Sequence, residues 1–316
     1  MRAFITASIS DEVLKELKKI LDVTYESWRE TGNVYFDVKE MVEKLKDYDI
    51  FITVADDLKN AELFEKTDLK LIGSCRGDPF NVNLEAATKN NIPVIYTPLR
   101  NVVAVAELTV GLIISLARNL TQLDKFLHSD DFEVIDFEDW IKCYNRFMGN
   151  ELLDKTIGIV GFGQIGQRVA ERLKPFGVDL LIYDPYVSNE IVENYGEKTD
   201  VDTLIKKSDF VTIHAAATDD NDNLINEERI KMMKNTAFLI NMAKGSLVDY
   251  NYLHEALKNR IIAGAALDVF PLEPLDEDNE FLELDNVIVL PHVGGNTTEV
   301  IHRQSKMLLE DIVSWL

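Results

Sequence analysis

Two cysteines in 316 residues, Cys75 and Cys143, cannot build a disulfide framework. That scarcity fits a reducing cytoplasm. Basic residues are also in deficit: 33 lysines and arginines stand against 55 aspartates and glutamates, a formal charge of −22. A nucleic-acid partner needs a basic footprint, so the deficit argues against one, and against an anionic membrane surface. No run is long and apolar enough to span a bilayer. Residues 1–6 lead quickly to Asp11 and Glu12, without the apolar region of a signal peptide. The most apolar segment, residues 102–120, is interrupted by Glu107 and carries Arg118 near its end. It reads as a buried helix. Repeats and low-complexity stretches are missing too, and no metal-ligand set is assigned.

What remains is the composition of a soluble globular chain, 46% hydrophobic and 28% charged. The length suits about two domains. Acidic runs at 129–133 and 276–280 read as solvated loops. Strand and helix patterns alternate throughout, which predicts parallel sheets covered by helices on both faces. In the first hundred residues strands are expected at 2–6, 23–25, 50–54, 69–73 and 94–96, with helices at 12–20, 38–46 and 84–90. A second strand series is expected near Ile157, Leu181, Val211, Phe238, Ala265 and Ile288. One long helix from 103 to about 127 and a final helix at 297–315 complete the reading. The architecture is thus α/β, two doubly wound parallel-sheet domains. Residues 1–100 with 296–316 form one, and 101–295 the other. Two chain crossings would make a hinge, with a substrate cleft between the lobes.

Gly161-Phe162-Gly163-Gln164-Ile165-Gly166 lies between an apolar strand and a helix that begins near Gln164. The first glycine suits a tight turn, the second a close approach of backbone to pyrophosphate, the third close packing of helix on strand. The pyrophosphate would meet N–H groups at the positive end of the helix dipole. Asp184 follows Gly163 by twenty-one positions, at the end of a second apolar strand. Its carboxylate would accept both ribose hydroxyls and repel a 2′-phosphate, so the cofactor expected is NAD. A bare glycine-rich turn leaves Asp184 unexplained.

Further polar residues stand where later apolar strands stop. They are in Asn241-Met242-Ala243-Lys244-Gly245, in Asp268-Val269-Phe270 with Glu273-Pro274, and in Pro291-His292-Val293-Gly294-Gly295. Ligands bind outside such strand ends in open α/β sheets, so Lys244, Glu273 and His292 should share one crevice. Together with Val105-Ala106-Glu107, and with His214 and Thr218 after the 210–213 strand, these motifs resemble the D-isomer-specific 2-hydroxyacid dehydrogenases over nearly the whole chain. That family includes phosphoglycerate, glycerate and D-lactate dehydrogenases.

The resemblance implies a Rossmann NAD domain, a flavodoxin-like substrate domain, and interconversion of a 2-hydroxy acid with its 2-oxo acid. His292 would exchange the proton, while Glu273 orients the imidazole and favours its protonated form. Gly161, Gly163, Gln164, Ile165, Gly166, Asp184, His214, Thr218, Met242 and Asp268 would contact NAD, with Asp268 ordering the nicotinamide end. The apolar helix at 102–116 resembles the family's dimer-forming arm, so a homodimer is expected; burial within the chain is the alternative.

The pattern departs from the family at two places. Lys244 stands where the family has an arginine that binds the substrate carboxylate. A lysine is a compact charge without the two-pronged guanidinium. Lys244 does the same work in a different pose, or a second cation takes the carboxylate, or the activity is altered. Arg76, followed by Gly77, is the second-cation candidate. It lies in a loop where Asp78 and Phe80 replace the usual residues and which is similar to a branch with Arg-Gly-Gly-Pro. The substrate expected is a small anionic 2-hydroxy or 2-oxo acid. Arg100 and His128 are weaker candidates. Two other readings stay open: an NADH-sensing scaffold like the corepressor relatives, and an enzyme of formate or phosphite. Glu273 argues against formate, because formate enzymes place glutamine there.

Overall fold

The computed structural model describes residues 1–129, 132 and 136–316. Asp130, Asp131 and Glu133 of the first acidic run therefore lie outside the described residues. In the second run Asp276, Glu277, Asp278 and Glu280 are exposed, as expected for a solvated loop. The chain divides into two compact units, Met1–Asn101 with Asn296–Leu316, and Val102–Gly295.

In unit 1 the elements alternate as β1 (Arg2–Ile5), α1 (Asp11–Ile20), β2 (Asp22–Tyr25), α2 (Trp28–Thr31), α3 (Val38–Leu45), β3 (Ile50–Thr53), α4 (Glu62–Lys66), β4 (Leu71–Ser74), α5 (Leu84–Lys89) and β5 (Val94–Tyr96). The strands form one parallel sheet in the order β2-β1-β3-β4-β5, the flavodoxin-like order. Strands β3 and β4 are buried along their whole length. Their near-continuous apolar runs suit a sheet covered on both faces. One core layer gathers Phe4, Met41, Phe51 and Leu63, and the other Ile5, Leu17, Ile52 and Leu308.

Unit 2 opens with α6 (Val102–Ala117), α7 (Leu120–Leu127) and α8 (Phe137–Arg146). The single helix expected from 103 to 127 is two helices bent by 65°. Asn119 breaks it by adopting the left-handed conformation, φ 52°. Helix α6 is not an outlying arm, because Val105, Ala106, Leu112, Ile113 and Leu116 join the core against Ile157, Val169 and Ile182. The exposed apolar surface lies instead on α8, at Phe137, Trp140, Ile141 and Tyr144.

The rest of unit 2 runs β6 (Thr156–Val160), α9 (Gln164–Leu173), β7 (Asp179–Tyr183), α10 (Asn189–Val192), β8 (Glu197–Lys198), α11 (Val201–Lys207), β9 (Phe210–Ile213), α12 (Glu227–Met232), β10 (Phe238–Asn241), α13 (Tyr250–Lys258), β11 (Gly264–Leu267) and β12 (Val287–Val289). Its parallel sheet has the order β12-β11-β10-β9-β6-β7-β8. The chain leaves β6 toward one edge and resumes at β9 on the other side. The sheet therefore has its switch point between those two strands. The last helix, α14 (Thr298–Trp315), belongs to unit 1, and Thr297 caps it through the Val300 N–H at 3.2 Å. No single helix among the described residues is long and apolar enough to cross a membrane.

Candidate active site

At the switch point the chain turns out of β6 through Gly161, whose φ is +89°. A Cβ there would lie 2.3 Å from the Ala215 nitrogen and 2.7 Å from the His214 carbonyl carbon. A Cβ at Gly166 would lie 2.3 Å from the Gly161 oxygen. Those two glycines are therefore required by packing. Gly163 is different, since nothing lies within 4 Å of its would-be Cβ. It sits at the start of α9, where no side chain caps the first turn. Uncapped N–H groups at a helix start attract an anion. Gln164 is exposed beside them, and Ile165 is half-buried against the core.

Asp184 holds this turn in place. One carboxylate oxygen accepts the Phe162 N–H at 2.7 Å, and the other accepts the Tyr186 and Val187 N–H groups at 2.8 and 3.0 Å. On the other side of the crevice, burial pushes the His214 imidazole down to about 3, so the ring is neutral at physiological pH. Its Nε2 meets the Thr212 hydroxyl at 2.9 Å, and its buried Nδ1 has no partner among the described residues. Thr218 caps a short turn with Asn221.

The second half of the crevice is stitched together strand by strand. The Asp268 N–H donates to the Asn241 carbonyl at 3.1 Å, and the Leu290 N–H to the Leu267 carbonyl at 2.9 Å. The ends of β10, β11 and β12 are thereby tied to one another. Asn241 is fully buried; its amide accepts the Ala243 N–H at 3.1 Å and donates to the Lys244 carbonyl at 2.9 Å and the Tyr250 hydroxyl at 3.2 Å. The Tyr250 hydroxyl donates in turn to the Val269 carbonyl. A Cβ at Gly245 would lie 2.2 Å from the Phe270 carbonyl carbon, so only glycine lets these two loops touch.

His292 stands on the loop after β12, with Nδ1 2.6 Å from Glu273 Oε2. Its ring is half exposed, which leaves Nε2 for a reactant. Glu273 Oε1 accepts the Phe270 N–H at 3.0 Å. Burial pushes the Glu273 carboxyl up, but the His292 and Phe270 hydrogen bonds and the charges of His292 and Lys244 outweigh it. The carboxyl ends below the usual glutamate value. Lys244 is exposed, and its charge reaches Glu273.

The His292 backbone is left-handed, φ 56°, a conformation that costs a non-glycine residue on the order of 1–3 kcal/mol. Asp268 holds the turn that follows. Its two oxygens accept the Val293 and Gly294 N–H groups at 2.7 and 2.8 Å. Burial pushes the Asp268 carboxyl up, and those two bonds only partly offset it. A Cβ at Gly294 would lie 2.9 Å from Asp268 Oδ2 and 3.2 Å from the Met242 Cε. Met242, buried at 6% exposure, is thus the floor of the His292 loop.

Arg76 and Gly77 stand after β4 in unit 1. The Arg76 Nε donates to the Val54 carbonyl at 2.5 Å, and its guanidinium covers the Phe80 ring at 4.2 Å. Nothing lies within 4 Å of a would-be Cβ on Gly77. Arg100 and His128, the weaker candidates, bond Gln304 and the Asp124 carbonyl.

Comparison with known proteins gives this geometry its place. Residues 110–294 match the model of the D-isomer specific 2-hydroxyacid dehydrogenase family, NAD binding domain. The chain belongs to that family. A glyoxylate reductase of Thermofilum pendens is 36% identical over 321 residues, which cover 100% of this chain and 91% of that protein. A D-3-phosphoglycerate dehydrogenase of Methanocaldococcus jannaschii is also 36% identical, over 96% of this chain but only 56% of its own length. The crystal structure of the TT0316 protein from Thermus thermophilus is 27% identical, with a TM-score of 0.85 over 99% of this chain and 96% of that one.

This 2-hydroxyacid dehydrogenase takes NAD as its cofactor, and the residues present fit that group. The uncapped start of α9, the open flank of Gly163 and the unpartnered Nδ1 of His214 all face chemistry that the protein itself does not supply. Reading along the chain missed Asn241 and Tyr250 as organisers of the site. Tyr250 carried no local signal; Asn241 had one, in the buried polar residue at the end of an apolar strand.

Proposed function

We propose that this dehydrogenase interconverts a small 2-hydroxy acid and its 2-oxo acid, with His292 as the acid–base group, Glu273 as its orienting partner and Lys244 as the cation for the substrate carboxylate. The bound cofactor would supply the hydride as NADH in reduction and take it back as NAD⁺ in oxidation. In reduction the His292 imidazolium gives its proton to the developing alkoxide oxygen, and in oxidation the neutral ring takes it back. The carrying observation is the 2.6 Å contact between His292 Nδ1 and Glu273 Oε2. It fixes which nitrogen faces the carboxylate and leaves Nε2 for the transfer.

Supporting this reading, Asp268 and Met242 hold the His292 loop, and Gly161, Gly163, Gln164, Ile165, Gly166, Asp184, His214 and Thr218 line the cofactor crevice. Met1–Asn101 with Asn296–Leu316 is assigned as the substrate domain, where Arg76 and Gly77 contact the substrate anion. The compact charge of Lys244 serves a short carboxylate, as in the glyoxylate named for the Thermofilum pendens relative. We assign the protein to the cytoplasm and to a homodimer that covers the α8 surface.

The test is an NADH-consumption assay over glyoxylate, pyruvate, hydroxypyruvate and phosphorylated 2-oxo acids. Turnover of at least one supports the proposal. Tight NADH binding with no consumption across the panel sinks it and points to the scaffold reading.

A further inference from the structure

Among the described residues only two carboxylates are buried, Asp268, which holds the His292 loop, and Asp56 in unit 1. Asp56 is 1% exposed, and no ion pair among the described residues includes it. A buried carboxylate without a cation has to be satisfied by hydrogen-bond donors. Three converge on it. Oδ2 accepts the Thr6 hydroxyl at 2.5 Å and the Thr53 hydroxyl at 2.6 Å, and Oδ1 accepts the Tyr35 N–H at 2.7 Å. The Asp56 N–H returns a bond to the Thr53 hydroxyl oxygen at 3.2 Å, which closes the turn 53–56. Thr6 follows β1 and Thr53 ends β3, its neighbour in the sheet. The carboxylate thus ties two adjacent strand ends at the edge where doubly wound sheets receive ligands.

The carbonyls of that turn carry the loop of Arg76. At the loop's entry the Cys75 N–H donates to the Thr53 carbonyl at 2.7 Å. The Arg76 Nε donates to the Val54 carbonyl at 2.5 Å. At the exit the Asn81 amide donates to the Asp56 carbonyl at 3.0 Å and accepts the Ser74 hydroxyl at 3.0 Å. Asn81 is itself buried, so water does not substitute for these bonds. Entry, guanidinium and exit all rest on one four-residue turn, and the shape of the turn rests on one carboxylate. An asparagine at 56 has the same size but cannot do this work. Its single oxygen replaces only one carboxylate oxygen, and its NH2 group faces either the Tyr35 N–H or the hydroxyls that now donate.

We propose that Asp56 is the positioning residue of the Arg76 loop, fixing the turn on which the Arg76 side chain and both ends of the loop are anchored. All of these residues lie in unit 1. The consequence for the substrate rests on the function proposed above, in which Arg76 and Gly77 contact its anion.

Hydrogen exchange of the whole chain, followed by mass spectrometry, tests the anchoring without any turnover. In Asp56→Asn the amides of residues 75–82 are expected to exchange at least ten-fold faster, while those of α1 in the same unit keep wild-type rates. Equal exchange over 75–82, or equal acceleration in α1, overturns the proposal. Melting curves check folding. If Asp56→Asn unfolds, Thr53→Val decides the matter by the same exchange, since it keeps the side-chain shape and removes the hydroxyl. Steady-state rates with glyoxylate then show the consequence. Asp56→Asn is expected to raise KM for glyoxylate at least ten-fold, with kcat and KM for NADH within about two-fold. A merely structural role would not split them. In an Arg76→Gln background the same change should add less than about two-fold, because both act through one group. Where Arg76→Gln raises KM, an unchanged KM in Asp56→Asn or a fully additive double variant overturns the positioning role. Wild-type KM in Arg76→Gln, or no turnover by the wild type, defeats the proposed substrate contact or reaction instead, and accelerated exchange over 75–82 in Asp56→Asn still upholds the anchoring.

Discussion

Glu273 meets His292 at 2.6 Å with one oxygen and the Phe270 N–H at 3.0 Å with the other. Both oxygens are engaged, so the carboxylate is a fixed strut rather than a mobile base. The proton that moves is the one on the opposite side of the imidazole. His292→Ala is therefore expected to lower kcat by about 10²–10⁴ while leaving NADH affinity within a few-fold. Steady-state rates and NADH fluorescence titration check this. Loss of NADH binding with turnover preserved would contradict the assignment.

The same strut makes stability depend on acid. The Glu273 carboxyl lies below its ordinary value of 4.5 in the folded chain. A depressed carboxyl stabilises the fold above its unfolded value, and that contribution is lost as pH falls through the folded one. Thermal melts of the wild type should therefore steepen their decline below about pH 4.5. Glu273→Gln should decline less over that window. Asp268 carries the opposite sign, because its carboxyl lies above the ordinary value of 3.8. Parallel melting profiles for wild type and Glu273→Gln would count against the coupling.

Much of this was legible in the residue order, and the parts that were not share a cause. The glycine run and Asp184 could be read because they answer local demands, a turn with φ +89° and a helix packed against a carbonyl. Both sheets were legible because buried parallel strands are unbroken apolar runs; the edge strand β8, two residues long and both of them charged, left no such mark. The break between α6 and α7 was hidden. Gly111 lies inside α6 without interrupting it, whereas Asn119 ends the path by its backbone conformation alone. Asp268 is expected to order the nicotinamide end of the cofactor, and what its neighbours in the chain did not reveal is that its two oxygens also hold the turn after His292. That bond joins residues 25 apart along the chain, and a pattern of neighbours cannot register it.

Lys244 is the departure that decides substrate choice. Its charge reaches Glu273, so removing it affects both the substrate anion and the strut. Lys244 is exposed in the free chain, so Lys244→Ala is expected to weaken kcat/KM for 2-oxo acids by roughly 2–5 kcal/mol where the bound reactants exclude water and leave the anion unpaired. Lys244→Arg should recover part of that loss. An unchanged kcat/KM in Lys244→Ala would transfer the duty to Arg76, and Arg76→Gln would then show the loss.

Tyr250 offers the sharpest test of how the site is held. Its hydroxyl donates to the Val269 carbonyl and receives the Asn241 amide at 3.2 Å, joining the loop of Lys244 to the loop of Asp268 and Glu273. The side chain is buried, 7% exposed, so no water replaces what a deletion removes. Tyr250→Phe keeps the ring, which packs on Phe270 and Phe281, and strips only the two bonds. An unsatisfied buried group costs about 1–3 kcal/mol. A lower melting temperature is therefore expected even without ligand. If the hydroxyl also aligns the two loops, kcat falls while KM for NADH is kept, because its hydrogen bonds go to Asn241 and Val269 rather than to the glycine turn. A variant that melts lower but keeps wild-type kcat would confine Tyr250 to stability, and the alignment of Lys244 with Glu273 would then rest on the Gly245 contact and the Asp268–Asn241 backbone bond.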